Sequence, residues 1–271
     1  MAEPTARRLD LKYQPGFGTI AMLCLILLYA PIAVLLVFSF NDNRSVTIWT
    51  EFSLDWYARA LENEGIQNAA WMSIQIAVVA TFASTVIATA AALATTRTAR
   101  FRGQTATYMV INLPLTVPEI VTAVATLSFF ALIRVGTGID FGVGNLMIAH
   151  TVFCIPFAYL PIRARLEDMD LTLEQAAADL YATPWHTFRR ITLPLLAPSI
   201  IAGAMLAFII SFDDFTITQL VAGPGQTTLP IYIWNQIRRG ITPETNAVST
   251  ILLGMSVLFV TVFFLIGRRQ K

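Results

Sequence analysis

The sequence predicts an all-α integral membrane protein with six transmembrane helices. Three observations carry that prediction. Of the 271 residues, 56% are apolar and 13% charged, whereas a soluble domain usually carries about 25% charge. Six runs approach or reach the roughly 20 apolar residues that a helical span requires. The longest polar connections are roughly thirty residues, too short to bury a core of their own. Residues 1–271 therefore read as a single transmembrane domain. A net charge of +1 supplies no global field for nucleic acid, so lipid is the expected surrounding partner and nucleic acid is not.

The first run, Ile20–Phe40, follows Arg7, Arg8 and Lys12. It is too long for a signal-peptide core, and no small-residue cleavage pattern follows, so it reads as a retained span. The loop Asn41–Ala69 is acidic, with Asp42, Glu51, Asp55, Glu62 and Glu64. The second run is Ala70–Thr95, the third Thr105–Ile133, and the fourth, Asn145–Ile162, is the shortest. Between the third and fourth lies the glycine-rich Gly136–Gly144. It lacks the strand-then-helix context of a nucleotide fingerprint and reads as a loop. The fifth run is Ala197–Val221 and the sixth Ala247–Ile266. Six spans place both termini on one side of the membrane. Thirteen of the 18 Lys and Arg residues fall on that side, among them Arg97, Arg100, Arg102, Arg163, Arg165, Arg189 and Arg190. The positive-inside rule then predicts cytoplasmic termini.

Enzyme chemistry is poorly represented. The sequence holds no Walker lysine loop, no G-x-S-x-G and no H-E-x-x-H. Its two histidines, His150 and His186, are far apart and read as structural, so no metal site is expected. Cys24 and Cys154 both lie in apolar runs and read as small hydrophobes. No cofactor is expected on this chain, and any pumping energy has to come from a partner or an ion gradient.

Residues 163–196, between the fourth and fifth spans, form a polar and well-punctuated stretch. Thr172 and Gln175 have the spacing of a capping box, which predicts a short helix over Leu173–Leu180 with Glu174 near its positive end. Thr183-Pro184 is a second start, a cap followed by proline at the first helical position. Trp185 and Phe188 are three apart and share a face of that second helix. Two such short helices need a surface to lie on. Local physics leaves two surfaces open, the lipid interface and a cytoplasmic partner.

The pattern "QAAADLYATPWHTFRRITLP" resembles the EAA loop of binding-protein-dependent ABC importer permeases. That family shows E-A-A, a glycine four residues after the second alanine, and a later I-x-L-P ahead of a span. Here Gln175-Ala176-Ala177 take the first places and Ile191-Thr192-Leu193-Pro194 the last. The resemblance implies the type I ABC importer permease fold, with this loop as the cytoplasmic coupling helix inserted in a partner ATPase. Glu174, Gln175, Ala176, Ala177, Asp179, Tyr181, Ala182, Thr183 and Pro184 are then the coupling residues. The chain departs from the family at two positions, Gln175 for glutamate and Tyr181 for glycine. The second matters if the turn requires a positive φ.

"VPEIVTA" at Val117–Ala123, "SFDDFTIT" at Ser211–Thr218, "VAGPGQTTLP" at Val221–Pro230 and "TPETNAVSTILLG" at Thr242–Gly254 are similar to a permease of spermidine/putrescine importers. This resemblance implies a second, different permease, two copies of an ABC ATPase carrying ATP and Mg, and a periplasmic binding protein. It places the chain in a bacterial inner membrane. It also implies an outer loop, Gly223, Pro224 and Gly225, in contact with the binding protein.

The acidic residues suit a polyamine, whose ammonium groups want carboxylates and whose methylenes want aromatic faces. Charges inside spans are costly and mark a pathway or a partner. Glu119 is expected near the middle of the third span and Asp213 and Asp214 toward the outer part of the fifth, with Phe212 and Phe215 flanking. Neighbouring helix positions point about 100° apart, so both aspartates are not expected to face one pore. The plainer reading gives the aspartates to an inter-helix hydrogen-bond network and Glu119 to the start of a helix after Pro118. Three functional alternatives stand beside polyamine import. They are an importer of another cargo such as other organic cations, amino-acid derivatives or ferric ion, an ion-coupled secondary transporter, and a membrane scaffold.

Overall fold

The computed structural model describes residues 16–268 except 44, 46, 47, 100 and 241, with side chains to residue 262. Of the cations used for orientation, Arg7, Arg8, Lys12, Arg44, Arg100, Arg269 and Lys271 lie outside the described residues. The described chain is helical, and its one β contact is an isolated bridge between Asn41 and Phe52. Among the described residues, six helices are long and apolar enough to cross a membrane.

Helix α1 (Phe17–Phe38) buries none of its residues within the chain and touches α12. A short α2 (Asp55–Glu62) precedes α3 (Glu64–Thr96), the longest helix at 33 residues. Asn63 starts α3: its side chain accepts from the amides of Gly65 and Ile66 and donates to Glu244, 2.8 Å away.

The third span is not continuous. Pro118 crowds the residue before it and drives Val117 out of the helical region to φ −91°, ψ 137°. Helix α4 (Gln104–Thr116) therefore stops, and α5 (Glu119–Thr137) restarts with Glu119 as its first residue. After the loop at Gly138–Gly142 comes α6 (Val143–Asp168). The fourth span is thus 26 residues long rather than the shortest. It runs through Pro156 and Pro161, as helices among neighbouring helices tolerate. It also continues past Arg163, whose guanidinium lies over the Tyr108 ring at 4.5 Å.

Helix α7 (Thr172–Asp179) and the four-residue α8 (Pro184–Thr187) make up the polar stretch. A π-helical turn, Phe188–Thr192, joins α8 to α9 (Leu193–Phe212) without a break. The fifth span therefore begins and ends earlier than its hydropathy predicts. It stops at Phe212, and a separate α10 (Thr216–Val221) follows. Helix α11 (Leu229–Arg239) and α12 (Pro243–Arg268) complete the chain.

The centre is a bundle of α3, α6 and α9. Small residues let these backbones approach, with Ala88, Ala92, Ala158 and Ala207 all fully buried. In lipid, where apolar burial gives little drive, close backbone packing of this kind holds spans together. Gly203 marks the tightest point: a Cβ there would sit 2.7 Å from the Ala158 carbonyl oxygen. Helix α10 packs across α5 and α6, so the interruptions in the third and fifth spans are brought to one place.

Candidate functional site

That place is a cavity of about 400 Å³ lined by Glu119, Asp213, Asp214, Thr216 and the aromatic rings of Phe153, Phe157 and Phe215. Each acidic residue owes its position to a helix end. Glu119 opens α5, where the positive end of the helix favours a carboxylate. It faces Asp214 and Thr216 across the gap. Asp213 closes α9 with φ −94° and ψ 1°, the sparsely occupied bridge region. A helix C-terminus disfavours an anion and attracts a cation. Asp213 is exposed, and nothing in helix electrostatics stabilises a carboxylate there.

Asp214 is the opposite case. It is buried, and its carboxylate accepts from the Ile217 amide at 3.3 Å, the Thr218 amide at 2.9 Å and the Thr218 hydroxyl at 2.9 Å. His150 on α6 lies behind it. Nε2 is 3.0 Å from the Thr218 hydroxyl and 3.4 Å from the Asp214 carboxylate, and Nδ1 is 2.8 Å from the Ser211 hydroxyl. Contrary to the expectation from helix geometry, both aspartates line the one cavity, because they lie in the break after α9. They differ in burial, and the plainer reading, a hydrogen-bond network, fits Asp214.

Phe212 is not brought to the cavity. It is 2% exposed, stacks on Phe208 at 5.7 Å and packs in a cluster with α3 and α12 residues. Phe215 does reach the cavity and meets Trp234 at 5.3 Å. Phe153 and Phe157 were not singled out in the sequence, because nothing local separates a cavity-lining phenylalanine from a packed one. His150 carried a weak signal, as an ionisable residue within a span.

The second candidate surface is the α7–α8 hairpin. The predicted capping box does not form. Asp170 begins the helix instead, its carboxylate accepting from the Thr172 amide at 2.9 Å. That bond holds the Asp170 carboxyl below its usual range. Thr183 acts as predicted, accepting from the His186 amide with Pro184 at the first helical position. The rings of Trp185 and Phe188 are 5.6 Å apart on one face.

The turn between the two helices is a Schellman motif. The Ala182 amide donates to the Ala177 carbonyl, and the Tyr181 amide to that of Ala178. Its left-handed residue is Tyr181, at φ 58° and 96% exposed. Leu173, Ala176, Leu180, Tyr181 and His186 line an open groove of about 730 Å³ here. Gln175, Ala176 and Asp179 are exposed, whereas Ala177 packs inward.

Glu174 points away from the groove. It pairs with Arg97 at 3.2 Å and accepts from the Thr192 hydroxyl at 2.9 Å. It ties the hairpin to the end of α3 and the start of α9. Both members of the ion pair are largely buried, so cutting one strands the other.

At the far end of the bundle, Gly223 and Gln226 close a turn through Gly225 at φ 79°. Pro224 lies between, and the turn borders a second cavity of about 420 Å³ with Arg134, Asp140 and Asn145. Among the described residues, no group of three or more His, Cys, Asp and Glu side chains is placed to hold a metal ion.

Comparison with known proteins gives a consistent result. A family model described as "binding-protein-dependent transport system inner membrane component" matches residues 88–270. The putrescine transport system permease protein PotI of Escherichia coli K12 is 37% identical over 90% of this chain and 88% of its own length. The spermidine/putrescine transport system permease protein PotC of Haemophilus influenzae is 36% identical over 90% of this chain and 93% of its own. Among solved structures, a bacterial ABC transporter for the acidic polysaccharide alginate superposes with TM-score 0.72 at 16% identity, covering 93% of each chain. The inward-facing methionine transporter MetNI superposes with TM-score 0.63 at 19% identity, over 77% of this chain and 99% of its own.

Proposed function

The chain belongs to the binding-protein-dependent transport system inner membrane components, and we propose on that premise that it is one permease subunit of an ATP-driven polyamine importer. Family membership makes it a multi-pass transport subunit of the inner membrane and not an enzyme. The fold is that of type I ABC importer permeases. The cargo class follows the relatives named for putrescine and spermidine.

One observation supports the cargo reading most directly: the cavity where two interrupted spans meet, holding Glu119 and the exposed Asp213 beside three phenylalanine rings. A primary ammonium arriving there meets a carboxylate and the last carbonyls of α9 together. Interrupted helices whose C-terminal ends face a cation recur in transporters for this electrostatic reason. The rings offer π faces to the ammonium and packing to the methylenes. Charge-assisted bonds of this kind give about 1.5–3 kcal/mol each, enough to hold a passing cation without trapping it.

In the proposed assembly a second, different permease completes the path. Two copies of an ATPase carry the ATP and Mg, and this chain holds no cofactor. The α7–α8 groove docks one ATPase, so the termini and the hairpin are cytoplasmic. The Gly223–Gly225 turn meets the periplasmic binding protein. Closure of the ATPases moves the hairpin, and the spans rock to open the cavity to one side or the other.

The test is uptake of radiolabelled putrescine by vesicles holding the reconstituted complex, in competition with spermidine and spermine. Polyamines should enter and compete with one another. A complex that hydrolyses ATP normally yet neither takes up nor binds any of the three overturns the cargo assignment.

A further inference from the structure

Helix α10 has six residues, too few to hold its shape alone. It is joined to α9 only through Asp213, Asp214 and Phe215. Its direction nevertheless decides which of the two cavity-lining aspartates is buried among protein partners and which is exposed. The groups that fix it can be traced atom by atom.

The Thr218 hydroxyl has one proton, and it donates that proton to Asp214. Toward His150 it is therefore an acceptor, so Nε2 carries a proton. In a neutral ring Nδ1 is then an acceptor, and the Ser211 hydroxyl donates to it. The chain of donors runs from Ser211 in the last turn of α9, through the imidazole, to Thr218 in the first turn of α10, and ends on Asp214. An imidazole presents one donor and one acceptor on separate edges of a rigid ring. It spans the break and sets the distance between its two sides. His150 itself is 1% exposed and is anchored in α6, which packs on both α9 and α10.

We propose that His150 is a positioning residue of the translocation path. By bridging Ser211 and Thr218 across the interruption in the fifth span, it fixes α10 and holds Asp214 turned into the protein. The adjacent Asp213 is left as the carboxylate that meets cationic cargo. His150 touches no cargo in this arrangement and acts through the aim of Asp213. The inference rests on the reading of Asp213 as a cargo ligand.

The experiment is a double-mutant cycle in the assembled complex, read as uptake per complex with complex yield and basal ATP hydrolysis measured alongside. Thr218→Val keeps the shape and removes the hydroxyl, and Ser211→Ala removes the other contact. Ser211→Ala should lower uptake per complex about 3- to 10-fold, the range expected for one lost buried hydrogen bond, and Thr218→Val, which loses the bonds to both His150 and Asp214, by at least as much, each at unchanged yield and basal hydrolysis. Thr218→Ser restores the hydroxyl and should remain within about twofold of the parent. Combined with Asp213→Asn, Thr218→Val should add no further loss, because both changes remove the same aimed carboxylate. Losses that multiply, wild-type uptake in Thr218→Val, or a fall in yield with uptake per complex unchanged each overturn the positioning role. Wild-type uptake in Asp213→Asn alone overturns the cargo reading instead, so the two failures are separable.

Discussion

The membrane cavity and the α7–α8 groove are both built from helix ends, yet they solve opposite problems. Behind the cavity the buried polar side chains are satisfied internally: Asp214, Thr218, Ser211 and His150 bond one another. Asp213, by contrast, is exposed. In the groove the exceptions are apolar. Leu180 and Tyr181 stand 81% and 96% exposed, with Trp185 beside the groove at 68%. Unpaired charge is expensive in a span, and exposed apolar surface is unfavourable in water. Each region therefore marks its function by the one kind of group it leaves unsatisfied. The first lacks a cation and the second lacks a protein surface.

The sharpest way to break this contrast is at the aspartates. Asp213→Asn should lower uptake about 10- to 150-fold, the loss of one charge-assisted bond of about 1.5–3 kcal/mol, with assembly and basal ATP hydrolysis intact. Asp214→Asn keeps one oxygen, enough for either the Ile217 amide or the Thr218 amide but not both; with Asp213 still charged it should affect uptake less. Equal losses, or none, would mean that exposure and burial do not separate their roles.

The groove is tested by an opposite substitution, a charge where apolar contact is expected. Ala176 is exposed on the groove, so Ala176→Asp leaves the isolated chain folded but buries a carboxylate on docking. Recovery of the ATPase with the permease should fall about 5- to 150-fold, the cost of about 1–3 kcal/mol for desolvating a polar group. Full recovery in a pull-down at limiting ATPase would remove the groove from the interface. Ala177→Asp is a poorer probe, because Ala177 already packs inside the hairpin.

The smallest effect separates strain from contact at the turn. Tyr181 holds a left-handed backbone at φ 58°, a conformation that costs a non-glycine residue roughly 1 kcal/mol. Tyr181→Gly should raise the thermal midpoint of the isolated permease by a degree or two, on the order of 0.5–1 kcal/mol. If ATPase recovery falls in the same variant, the exposed ring is an anchor and its strain is retained for binding.

The sequence showed much of this because its strongest signals are local. The spans, the Thr183-Pro184 start and the conflict at Tyr181 each depend on a few neighbouring residues. The helix restart at Glu119 was available in the same way, because Pro118 restricts Val117 whatever surrounds them. The failures were of a different kind. Two residues competed to begin α7, and Asp170 won over the Thr172–Gln175 pair. The early end of α9 is easily missed by hydropathy, since Ile217, Leu220 and Val221 carry the apolar run on past Asp213 and Asp214. The bridge from His150 to Ser211 and Thr218 joins positions 61 and 68 residues apart, which no local pattern encodes. Phe212 went astray for a similar reason: it lies on the face of α9 that packs, with Phe208, against α3 and α12.

Helix α3 has 33 residues and so extends roughly 50 Å, well beyond the roughly 30 Å of a hydrocarbon core. Arg97 at one end grips Glu174 of the hairpin. Near the other end Ser73 accepts from the Leu229 amide that opens α11, and Asn63 holds Glu244 of α12. A rod clamped at both ends behaves as a lever. Tilting it by about 5° about its middle moves each tip by roughly 2 Å, in opposite directions, given its length. A displacement that small at the hairpin is enough to make or break a hydrogen bond at the far end, without any helix having to bend or unwind.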